Sequence, residues 1–138
     1  MTRYATEIME RRRAAAAGRF PFDAPFERLS EGMTFTTAAR AVQDTEAFAL
    51  LSHAARLVPL DPARATLRRV GDVVFRRPVA PGDELHVEGR VVALAPGGED
   101  VGQVTLAWSL VDQAGRCVCR ARVELEWARE DAFVAIPL

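Results

Sequence analysis

The chain has 138 residues, 49% of them hydrophobic and 27% charged, and a formal net charge of −1. That length fits one domain with a core of its own, and the near-neutral balance leaves no electrostatic footprint for nucleic acid or an anionic membrane surface. All 18 basic residues are arginine, a bias that a GC-rich genome produces; the planar guanidinium is also the better fork for phosphate.

Cys117 and Cys119 are two apart. In a strand they share a face and cannot easily bond to each other, so both read as small buried residues rather than a disulfide or a metal site. No stretch approaches the ~18 apolar residues of a membrane span. The N-terminus has no apolar run followed by a cleavage site, so a cytoplasmic protein is expected.

In chain order, residues 4–17 (YATEIMERRRAAAA) predict a helix stopped by Gly18, with Arg11–Arg13 on a solvated face. Residues 19–32 form a Pro-rich connector whose Phe20, Phe22 and Phe26 pin it to the domain surface. Met33 to Val42 has strand character. Asp44 or Thr45 is placed to cap a helix at 45–58, stopped by Pro59 and Pro62. Its apolar stripe runs through Phe48, Leu51, Ala54, Ala55 and Val58, widened by Leu50 and Leu57. This is the most apolar helix in the chain and the one expected to be buried.

Antiparallel strands follow at 69–79, 84–94, 101–112 and the stretch ending near residue 128. Leu85, Val87, Gly89 and Val91 share one face of the second, and Val104, Leu106, Trp108 and Leu110 one face of the third. Asp112–Gly115 is a hairpin turn. The last strand alternates most cleanly, with Cys117, Cys119, Ala121, Val123, Leu125 and Trp127 facing in. One sheet with segregated helices is an α+β layout. We divide the chain into an N-terminal helix and connector, 1–25, and a single domain, 26–138.

Two stretches carry a family resemblance. FRRPVAPGDELHVEGRVVAL, Phe75 to Leu94, resembles the F-x-x-P-V-x-x-G-D-x-L signature of the MaoC-like and FabZ-like acyl-thioester dehydratases. FERLSEGMTFTTAARAVQDTEAFALLS, Phe26 to Ser52, is similar to the opening of MaoC-like domains, including their F-A-x-L-S helix. The resemblance implies a hotdog fold, a curved five-stranded antiparallel sheet wrapped around one central helix. It also implies acyl-CoA or acyl-carrier-protein thioesters of fatty or polyketide acids as ligands. No cofactor is expected. A homodimer, or a hetero-oligomer with another hotdog subunit, is the implied assembly.

The family's catalytic loop is not matched. MaoC-like hydratases continue into G-D-x-N-P-x-H, whose Asp and His share the acid–base work. Here HAARLVPLDPAR follows Ser52, which puts Ala54 at the Asp position and Pro59 at the His position. Neither side chain transfers a proton. The H-F-P-G-x-P loop of FabZ-like enzymes is also missing, and the family's long Gly-rich central helix has no counterpart after residue 58, so the helix at 45–58 must serve.

His53 is the histidine nearest the expected site. It is a candidate general base, against a reading as a helix-surface side chain off the main stripe. Asp44 and Glu46 are candidate carboxylates of the kind hotdog thioesterases use, against a reading as residues favoured at a helix N-terminus. The helix amides themselves can polarise a thioester carbonyl. Arg76 and Arg77 are candidates for a pyrophosphate or phosphopantetheine, with Ser52 as a further binding candidate. Arg68 and Arg69 flank the same strand. Asp61 reads as a turn residue, His86 as solvent-facing, and Gly97-Gly98 as a loop. Two separated histidines make no zinc cluster, and no Gly-rich phosphate loop or G-x-S-x-G elbow is present.

Three functions fit these residues. One is a dehydratase or enoyl-hydratase relative that binds thioesters without the usual pair, alone or beside an active hotdog subunit. Another is an active thioesterase or dehydratase using Asp44, Glu46 or His53. The third is a non-catalytic assembly module.

Overall fold

The structure, a computed structural model, describes residues 20–130. The expected helix at 4–17 and most of the C-terminal tail lie outside the described residues. After a short 3-10 turn, Phe26–Arg28, come β1 (Thr34–Thr36), β2 (Arg40–Ala41), α1 (Ala47–Leu57), β3 (Ala65–Phe75), β4 (Glu84–Pro96), β5 (Val101–Val111) and β6 (Cys117–Ala128). Five strands lie in the order β1-β4-β5-β6-β3, all antiparallel, and the two-residue β2 pairs separately with β4. The single expected strand at 33–42 is thus two short ones. The Thr37 hydroxyl caps the break by accepting the Val87 amide at 2.9 Å.

The long strands form because their sequences alternate. Leu85, Val87 and Val91 of β4, Val104 and Leu106 of β5, and Val123, Leu125 and Trp127 of β6 are all at most 1% exposed. They share the core side, while Arg120, Arg122 and Glu124 face water. Glycine lets two rings lie against this face. A β-carbon at Gly89 would collide with the Phe35 ring, and one at Gly102 with the Phe26 ring.

Turns set the register. Pro81-Gly82 sits between Ala80 and Asp83, with Gly82 at φ +93 and the Asp83 amide donating to the Ala80 carbonyl at 3.0 Å. At the β5–β6 hairpin Asp112 is buried. Its Oδ1 accepts the Ala114 and Arg116 amides, both at 2.9 Å, and its Oδ2 accepts Arg116 Nε at 3.2 Å. Gln113 joins the two turns, donating to Asp83 Oδ1 and accepting the Glu84 amide, each at 3.0 Å.

The connector is more than pinned. Phe20 is a core residue within 5.2 Å of Phe35, ring centre to ring centre, and Trp127 Nε1 donates to the Ala24 carbonyl at 2.7 Å. α1 packs against β4 on part of the expected stripe, with Leu51 and Leu57 partly buried against the core. Leu50, His53, Ala54 and the following Val58 are buried, while Phe48 is 76% exposed. The helix is apolar nearly all round, so periodicity alone left its rotation open by about one residue, or ~100°. β3 starts at Ala65 rather than Arg69, because Asp61 builds a compact turn that hands the chain directly to the sheet. Asp61 Oδ1 accepts the Ala63 amide at 2.9 Å, and its carbonyl accepts the Ala65 amide at 2.8 Å.

Candidate functional site

A cleft of about 390 Å³ opens between the start of α1 and the exit of β3. Thr45, Ala47 and Leu50 line it from the helix, and Phe75, Arg76, Arg77, Pro78 and Val79 from the strand end. The chain places them there because β3 ends by donating the Arg76 amide to the Val118 carbonyl (2.9 Å), and Pro78 then turns it toward the Ala80–Asp83 turn.

The helix end at this cleft is capped by acid side chains. Asp44 Oδ1 accepts the Glu46 amide at 3.0 Å, and Glu46 Oε2 accepts the Ala49 amide at 3.3 Å. The cap residue is therefore Glu46, not Asp44 or Thr45, because Asp44 is spent one step earlier on the turn into the helix. Both carboxylates do structural work at the positive end of the helix dipole. The amides of Ala47 and Phe48 keep no acceptor among the described residues.

Arg76 and Arg77 are exposed and make no ion pair among the described residues. Arg68 and Arg69, by contrast, reach Glu126 and Glu124 along the sheet surface. The two cleft arginines and the free helix amides together offer hydrogen-bond donors and positive charge to an anionic or carbonyl oxygen.

His53 is not where a surface reading put it. It is 7% exposed, on the buried face of α1, and its Nε2 has no hydrogen-bond partner among the described residues. Burial pushes its pKa below the ordinary histidine value. A hydrogen bond to the Arg40 backbone opposes that shift, and the charges of Arg56 and Arg40 add to it. It does not line the cleft, and neither does Ser52, which is exposed. The structure thus brings Arg76 and Arg77 to the helix end where Asp44 and Glu46 sit, and leaves His53 and Ser52 out.

Two features were missed by sequence reasoning. Phe75 forms a cleft wall, which its place at the head of the Phe75–Leu94 stretch could have signalled. Trp108 is buried with its indole N–H unpartnered among the described residues, and nothing in an alternating strand marks that. His86 bonds to Glu88 at 2.9 Å on the outer side of β4. Cys119 is buried, which pushes its thiol up to about 11, and both cysteines are free thiols. No cluster of three His, Cys, Asp or Glu side chains suited to a metal occurs among the described residues. No helix among them is long and apolar enough to cross a membrane.

No family model matches the sequence, and no curated protein matches it significantly. Solved structures do. A MaoC-like dehydratase from Rhodospirillum rubrum aligns with a TM-score of 0.69 and 22% identity, over 83% of this chain and 99% of that one. An R-hydratase from Pseudomonas aeruginosa, solved unliganded, gives 0.55 and 21%, over 77% and 86%. A Mycobacterium tuberculosis protein described as a double hotdog fold gives 0.66 and 17%, over 79% of this chain and 45% of that one. The chain has the hotdog fold, and it spans about half of the double one.

Proposed function

We propose that this chain is a MaoC-like relative that binds acyl thioesters of coenzyme A or an acyl carrier protein in the α1–β3 cleft, without the acid–base pair that hydrates a 2,3-double bond. The observation that carries this reading is the composition of the cleft. Two arginines that make no ion pair among the described residues meet the helix start at Ala47 there; the amides of Ala47 and Phe48 keep no acceptor among those residues, while the acids beside them are used as caps. The amides suit a polarised thioester carbonyl, and the arginines suit the phosphates of the carrier. Ala47, Leu50, Phe75 and Val79 give the acyl chain an apolar wall. The likeness to a dehydratase and an R-hydratase supports the ligand class. In a cell such a chain would work beside a hotdog subunit that carries the missing pair.

The test is binding and turnover measured on the same preparation. Crotonyl-CoA and 3-hydroxybutyryl-CoA should bind without conversion, and Arg76→Ala with Arg77→Ala should weaken binding about tenfold, the effect of losing ~1.4 kcal/mol. Turnover abolished by Asp44→Asn, Glu46→Gln or His53→Ala would make the chain an enzyme in its own right. Absence of binding to either carrier would leave an assembly module.

A further inference from the structure

His53 is buried on α1, yet the charges that act on its ring are both positive, those of Arg56 and Arg40. Arg56 is one turn further along the same helix, about 5–6 Å from His53 between β-carbons. Arg40 belongs to β2, and its backbone bonds to the His53 ring. Its ladder partner is Leu85, which is fully buried. Ladder partners project to the same face of a sheet, so the Arg40 side chain leaves on the side where α1 packs. The two guanidinium groups therefore start from either side of one buried imidazole.

Nothing nearby neutralises them. Both arginines are exposed, and neither makes an ion pair among the described residues. β4, the strand under α1, turns Leu85 and Val87 toward the helix and its charged Glu84, Glu88 and Arg90 the other way. The acids at the helix start are occupied, Asp44 Oδ1 by the Glu46 amide and Glu46 Oε2 by the Ala49 amide. Like charges beside a desolvated ring repel, and a bound anion relieves that repulsion. His53 Nε2, unpartnered among the described residues, adds unused hydrogen-bonding capacity at the same place. Arginine forks suit the oxygens of an oxyanion, and the imidazole gains a further donor on protonation. Two arginines match the charge of about −1.5 to −2 that a phosphate monoester carries, better than the single charge of a carboxylate. The place is separate from the α1–β3 cleft. Arg40, His53 and Arg56 do not line that cleft, and β2 pairs with β4 at the opposite end of the strand order from β3.

We propose that Arg40 and Arg56 hold a phosphate monoester beside His53, at a second anion site that goes beyond thioester binding in the cleft. The probe is methyl phosphate, added to the full chain while the ring signals of His53 are followed by NMR, with those of His86 as reference. The His53 signals should shift saturably, and their titration midpoint should rise by about one pH unit as the two positive charges are neutralised. Sodium chloride at the same ionic strength should not reproduce the shift, and acetate should bind more weakly. Arg40→Gln with Arg56→Gln should abolish the response, whereas Arg76→Ala with Arg77→Ala should leave it intact. No saturable shift, or an equal one with sodium chloride, would overturn the proposal. So would a response that survives Arg40→Gln with Arg56→Gln, or one that Arg76→Ala with Arg77→Ala removes. The first two answers come from the unsubstituted protein, so they stand whether or not a double variant folds.

Discussion

The ring of Phe35 occupies the space that a β-carbon at Gly89 would need, and the two residues face each other across the β1–β4 ladder. This contact fixes a three-residue strand to the sheet and closes the core beside Phe20 and Phe22. Gly89→Ala should therefore destabilise the protein by ~1–3 kcal/mol through overpacking. Urea unfolding checks this, and an unchanged midpoint would show that Phe35 moves aside freely. Gly102 under Phe26 predicts a loss of the same kind.

His53 predicts a pH dependence near neutrality. Its folded pKa lies below the unfolded value, so the unfolded chain binds more protons between the two. The stabilisation is complete above about pH 6.5 and falls as pH drops from there to the folded pKa. Unfolding free energies measured at steps from pH 7.5 to 5 should show this slope, and His53→Leu should flatten it. A slope that survives the substitution would assign it to another group.

Asp112 predicts a separate loss in acid. The Arg116 amide holds its carboxyl below the usual carboxylate range, and the Ala114 amide and the Arg116 guanidinium add to this against the cost of burial. Asp83 is lowered in the same direction by the Ala80 amide and the Gln113 side chain. The stabilisation is present above about pH 4 and is lost as pH falls through the folded values. Asp112→Asn should lower stability at pH 7 and shrink the difference between pH 7 and pH 3. An acid limb equal to that of the unsubstituted protein would remove Asp112 from the account.

How much of this was legible depended on how sharply each segment alternates. β5 and β6 were readable because one face is apolar at every second position, from Val104 to Leu110 and from Cys119 to Trp127. The Asp112–Gly115 turn was readable because its residue types favour that geometry. The rotation of α1 was not, since Phe48, Leu50 and Leu51 compete for the same face and only the sheet decides among them. The burial of His53 followed from that choice and was invisible for the same reason. For the site, Arg76 and Arg77 were marked by the motif they sit in. The use of Asp44 and Glu46 as caps needed coordinates, because a carboxylate at a helix start reads identically whether it caps or catalyses.

Both tryptophans are sealed, and they differ in a single bond. Trp127 donates its indole proton to the Ala24 carbonyl, and Trp108 donates to no acceptor among the described residues. The native emission should therefore combine two environments, one a hydrogen-bonded indole under the connector and one an indole without an acceptor among the described residues in β5. Detachment of the connector changes the first alone, so the chain carries its own optical gauge that separates fraying at the entrance from collapse of the whole sheet.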